Sequence, residues 1–151
     1  MSDLDRAKRI LTEQPRLSCV VCGGEILYTS EKRGIAPMMD FLDAGYAMSG
    51  FSVADRIVGR AAAMLFVLAD IRHVYAEVIS EGALALLRTR GIEVSYGVLT
   101  PCIINRAGNG ACPMEVAVRD IDCPASAREA IRKTMQRLRE KGGTQDREIH
   151  K

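Results

Sequence analysis

Apolar residues recur every three to four positions near the start of the chain, then cluster in short runs, then alternate between the two habits. Leu4, Ala7 and Leu11 fit a helix over Asp3 to Glu13, which Pro15 stops. "LSCVVC" and "EILYTS" are β-rich runs around Gly23-Gly24. Two glycines there predict a hairpin turn, because a type I′ turn takes positive φ at both central positions. Pro37 is expected to open a helix over "PMMDFLDAG" that Gly45 closes. "SVADRIVGRAAAMLFVLAD" reads as one long helix. Ser52 and Asp55 form a capping pattern, and Ile57, Ala61, Met64, Leu65 and Leu68 form a buried stripe. Gly59 and Ala63, one turn apart, would let that helix pack closely.

The second half alternates. His73 to Ser80 is a strand, Glu81 to Arg90 a helix ended by Gly91, and "IEVSYGVL" the next strand. Strand, helix, strand at this spacing predicts a parallel βαβ unit. Pro124 opens a last helix through Glu140, with Ile131, Met135 and Leu138 inward, and Gly142-Gly143 ends it. The fold class that follows is α/β: a three-layer α/β/α sandwich on a mixed sheet. Residues 1–141 are expected to form one domain and 142–151 a disordered polar tail.

Composition narrows the function classes. The 151 residues carry 21 basic and 19 acidic side chains, a net charge of +2, with no Trp. Neither a basic surface nor an aromatic platform for nucleic acid is implied. The basic run from Arg128 to Lys141 is broken by Glu129 and Glu140, as on a solvated helix face. The first ten residues lack the apolar centre of a signal peptide, and the longest apolar run, Ala61 to Ala69, is too short to cross a bilayer. A cytoplasmic protein with no membrane contact is expected, its five cysteines reduced.

The densest chemistry is "INRAGNGACPME", Ile104 to Glu115. With Pro113 at a first helical position, Cys112 is the N-cap and Glu115 can reach back to the Cys112 N–H, as in half of a capping box. The helix dipole would favour the Cys112 thiolate. Gly108 and Gly110 let backbone approach a ligand, and Asn105 and Arg106 offer polar and positive groups. The plainer reading is a solvent loop with an ordinary cap. "CVVCGG" has the shape of a zinc knuckle, but strand residues three apart face opposite ways, so Cys19 and Cys22 should diverge, and no second ligand pair exists. No metal or cofactor is expected. "GRAAA", with Gly59 and Arg60, lacks the glycine-rich lead and Ser/Thr of a phosphate loop, although an Arg near a helix start suits an anion. Ser80-Glu81-Gly82 lies where a strand hands over to a helix; Ser80 is more simply a cap than a ligand group. His73 has no partner histidine and reads as structural.

"DRIVGRAAA", "VYAEVISEGAL" and "INRAGNGACPMEVAVRDID" resemble the small prokaryotic proteins grouped as domain of unknown function 1893. The resemblance runs from about the first strand to Asp122. It implies a cytidine deaminase-like α/β/α fold and no assigned activity. Zinc deaminases place a His or Cys beside a catalytic Glu at one helix start and P-C-x-x-C at the next. The corresponding places here are Gly59-Arg60-Ala61 and Ser80-Glu81-Gly82-Ala83, which offer no zinc ligand, and "PCII" at Pro101 to Ile104 lacks the second Cys.

Two readings follow. In the first, the domain binds a small anionic or nucleotide-like molecule near Gly59, Arg60, Ser80, Asn105, Arg106, Gly108 and Gly110, or forms a homodimer. In the second, it is a metal-independent enzyme, with Cys112 as nucleophile or redox thiol and Glu81 or Glu115 moving the proton. The missing His base favours the first.

Overall fold

The computed structural model describes residues 1–104, 108, 110 and 112–149, with side chains through residue 140. Helix α1, Asp3–Glu13, starts at a reciprocal cap: the Ser2 hydroxyl accepts the Asp5 N–H at 3.1 Å, and the Asp5 carboxylate accepts the Ser2 N–H at 3.3 Å. Strands β1, Cys19–Gly23, and β2, Ile26–Ser30, form the expected hairpin. Gly23 pairs with Ile26, so the turn is Gly24-Glu25, one residue later than the glycine pair suggests. Gly24 supplies the positive φ of 59°. Gly23 serves a different need, because a Cβ there would sit 2.2 Å from the Phe51 ring.

Helix α2, Ala36–Asp43, is followed by the main departure from the expected pattern. The single helix expected from Ser52 is instead strand β3, Ser52–Val58, and helix α3, Arg60–Leu68. The run Ser52 to Asp55 is buried without a break, as in a strand covered on both faces. Ser52 and Asp55 lie inside the sheet, 2% and 4% exposed, and cap nothing at a helix start. Ile57, expected in a buried stripe, is 52% exposed. Gly59 marks the change of habit, and α3 is then buried on every side from Ala61 to Phe66.

Strand β4, His73–Ser80, helix α4, Glu81–Thr89, and strand β5, Glu93–Thr100, form the expected parallel unit. Helix α5, Pro113–Val118, and helix α6, Pro124–Ile149, complete the chain. α6 runs through Gly142-Gly143, where composition predicts its end. Leu138, expected inward, is 41% exposed, whereas Ile131 is fully buried.

The sheet is mixed, in the order β2-β1-β3-β4-β5, with β1 antiparallel to both neighbours and β3, β4 and β5 parallel. β1 divides its side chains between two clusters. Val20 and Cys22 pack with Ala7 and Leu11 of α1, while Cys19 and Val21 join the larger core with α3 and α4. Helices therefore cover both faces of an α/β domain. No helix among the described residues is long and apolar enough to cross a membrane.

Candidate functional site

Strands β3 and β4 end side by side, Val58 opposite Ile79, and each passes directly into a helix. Helix N-termini expose unsatisfied N–H groups and carry partial positive charge. At α4 the need is met locally: Ser80, 4% exposed, accepts the Ala83 N–H at 3.1 Å. Ser80 is thus a cap, the simpler of its two expected roles, and Glu81 stands exposed in the first turn.

At α3 the need is met from a distance. The N-cap is Gly59, which has no side chain to offer. Glu115, 55 residues beyond Arg60, supplies the carboxylate: Oε1 accepts the Arg60 N–H at 2.6 Å and Oε2 the Ala61 N–H at 2.8 Å. A Cβ on Gly59 would lie 2.3 Å from Oε1. The glycine is there to admit the carboxylate; its extended backbone asks for no special conformation.

Arg60 returns the exchange. Its Nε donates to the Val118 carbonyl at 3.2 Å, and its Nη2 to the Ile121 carbonyl at 2.6 Å and the Asp122 carboxylate at 3.1 Å. The guanidinium thus holds the end of α5, and the ligand role expected of it competes with three acceptors of the chain itself. Cys112 is the half-buried N-cap of the six-residue α5 and makes no side-chain cap bond. Its N–H donates to the Ile103 carbonyl at 3.2 Å, so the expected return bond from Glu115 to Cys112 is not the one formed. Gly108, with φ of 74°, and Gly110 are exposed. Asn105 and Arg106 lie outside the described residues.

Two groups escaped the sequence reading. Burial pushes the Asp55 carboxyl up to about 7, against the opposing pull of the Arg56 and Ile57 N–H groups and the Arg56 charge. Cys19, its register partner, has its thiol pushed well up by burial and by that carboxyl. The second group is Cys123, exposed before Pro124. The Ser126 N–H and hydroxyl and the Ala125 N–H hold its thiol below the usual range, with help from Arg90. The signal was present: Cys-Pro occurs at 112–113 and again at 123–124, and only the second opens a long helix.

Cys19 and Cys22 lie on opposite faces of the sheet, as strand alternation requires. His73 bonds to Glu93 at 3.1 Å, a surface role. Among the described residues, no three His, Cys, Asp or Glu side chains gather as a metal site would need. A cavity of about 510 Å³ lies away from the strand ends, between α5 and α6, lined by Ala117, Lys133, Thr134 and Arg137 among others.

The model of the family described as domain of unknown function (DUF1893) matches residues 6–135. The crystal structure of a DUF1893 family protein from Thermotoga maritima is 28% identical, with a TM-score of 0.76, and the match covers 91% of each chain. No curated protein matches.

Proposed function

The chain belongs to the DUF1893 family, and from that premise we propose that it binds a small anionic or nucleotide-like ligand at the ends of β3 and β4, on a cytidine deaminase-like fold without a zinc site. In open α/β sheets, ligands bind outside the carboxyl ends of the strands. Two helix starts meet there, with Glu81 in the first turn of one and Glu115 on the first amides of the other. In zinc deaminases the two helix starts bear the metal ligands and the catalytic Glu. Here they bear Gly59-Arg60-Ala61 and Ser80-Glu81-Gly82.

The observation that carries this reading is the Glu115 carboxylate on the first amides of α3, in a notch that only glycine leaves open. Those amides form a cradle for an oxyanion, and a ligand phosphate or carboxylate would compete with Glu115 for it. Competition weakens the apparent affinity by the fraction of molecules in which Glu115 is displaced. The enzyme reading has less support. Glu115 is engaged with α3, and Cys112 makes no side-chain cap bond at the start of the six-residue α5.

Isothermal titration calorimetry tests the proposal, with inorganic phosphate, pyrophosphate and AMP as probes and adenosine as the uncharged control. Glu115→Ala should bind at least one anion about tenfold more tightly than the natural chain, a gain of about 1.4 kcal/mol. Failure of all three anions to bind either protein at millimolar concentration contradicts the proposal.

A further inference from the structure

Among the described residues, Asp55 is the only carboxylic acid buried in the fold, at 4% exposed. It lies on the α3 side of β3, opposite Cys19, which belongs to the same core as α3. The same strand leads to Gly59 and to the amides that hold Glu115. From residue 55 to residue 59, at about 3.3 Å per residue, the separation is about 13 Å. Ala61 to Phe66 of α3 are buried in this core, so little water screens a charge at one end of the path from a charge at the other. Few groups offset a charge on Asp55. β1 brings Cys19, whose thiol burial keeps neutral, and β4 brings Ala76. α3 carries no charged residue after Arg60. The acids of α2, Asp40 and Asp43, are held by Lys32 and by Arg128 and Arg132. Glu81 and Arg88 of α4 are exposed, and α6 turns Ala127 and Ile131 to the core. Arg56 and Glu77 pair at 2.6 Å, with Arg56 also on the Leu11 carbonyl of α1, and their effects on Asp55 oppose each other.

We propose that Asp55 and the oxyanion cradle of α3 are linked through their charges, so that the cradle takes up a dianion together with a proton on Asp55. The link deepens the anion reading of α3 and rests on it. Two like unit charges about 13 Å apart, at an effective dielectric of about 20, change a binding constant by up to about tenfold, and salt reduces the factor. Burial brings the Asp55 carboxyl up to about 7, so its charge changes near neutrality. Above that pH the ionised acid opposes an anion on α3; below it the neutral acid does not. Linkage is reciprocal, so an anion on α3 tightens the hold of Asp55 on its proton by the same factor. The proton comes from solvent. Glu115 sets the size of the effect. In the natural chain its single charge already sits on α3, so a dianion that displaces it adds one unit. In Glu115→Ala the dianion adds both of its charges.

Calorimetric titration with sulfate is the test, because sulfate keeps its charge across neutrality whereas phosphate does not. Glu115→Ala should bind sulfate at least about threefold more tightly at about pH 6 than at about pH 8.5. Adding Asp55→Asn should abolish that dependence and hold the affinity at the value Glu115→Ala shows at the lower pH, since an amide stands in for the neutral acid. A second readout needs no change at Asp55. Titrations of Glu115→Ala near neutral pH, in buffers of different ionisation enthalpy, should show uptake of part of a proton per sulfate bound. Sulfate affinity that does not vary with pH in Glu115→Ala overturns the link and leaves an anion site on α3 standing. So does a pH dependence that Asp55→Asn leaves intact, or binding without proton uptake. Sulfate that fails to bind Glu115→Ala at either pH overturns the link and the anion reading together.

Discussion

The β3–α3 and β4–α4 units run parallel and in register, yet they solve the same problems with different chemistry. Where β3 places Asp55, β4 places Ala76. Where α4 begins at a serine that caps its own helix, α3 begins at a glycine and borrows a carboxylate from α5. The start of α4 is closed by a contact three residues away. The β3–α3 unit keeps a buried acid in the core and a helix start whose occupant belongs to another element. A local cap can leave only if the helix frays, whereas a remote one can be withdrawn while α3 stays folded. That asymmetry is why the anion reading rests on α3.

Substitutions at the two helix starts should differ in size if this contrast is sound. The largest effect is expected from Gly59→Ala, whose Cβ expels the Glu115 carboxylate. Two hydrogen bonds to a charged acceptor are lost, for about 3–4 kcal/mol by urea unfolding. Glu115→Ala should cost about 3 kcal/mol on the same scale, and the double variant should be scarcely less stable than Gly59→Ala alone, because both changes break one interaction. Additive losses would mean that the glycine serves something other than Glu115.

The buried acid sharpens the contrast through pH. In the unfolded chain Asp55 titrates near 3.8, and in the folded protein near 7. Below about pH 4 it is protonated in both states, and stability is unaffected by it. Between pH 4 and 7 only the unfolded state ionises, so stability should fall by up to about 1.4 kcal/mol per pH unit, then level off. Asp55→Asn should remove that slope in unfolding measured across the range. The smallest effect belongs to the other unit: Ser80→Ala should cost about 1 kcal/mol, the usual worth of a local N-cap.

The same division explains what the sequence made legible. β4, α4 and β5 could be read because their signals are local: Ser80 before the helix, Gly91 after it, and apolar runs of strand length between. β3 was hidden because Ser52 and Asp55 imitate a capping pattern and Ile57 falls into helical spacing with Ala61 and Met64. Only the burial of this segment between β1 and β4 overrides that local pattern. Gly59, Arg60 and Glu115 were each singled out, and the structure does bring them together. Their partners were not legible, since no local pattern links residues 55 positions apart. A capping-box spacing pointed Glu115 back at Cys112, when the nearer claim on its charge was an uncapped helix across the fold.

The most direct test follows the Arg60 and Ala61 amide resonances by NMR while inorganic phosphate is added to the natural chain and to Glu115→Ala. Saturable shifts are expected at these two amides, reached at lower phosphate concentration in the variant, with the Ala83 amide of α4 unmoved. Folded protein in which phosphate moves neither amide, in either form, would contradict anion binding at α3.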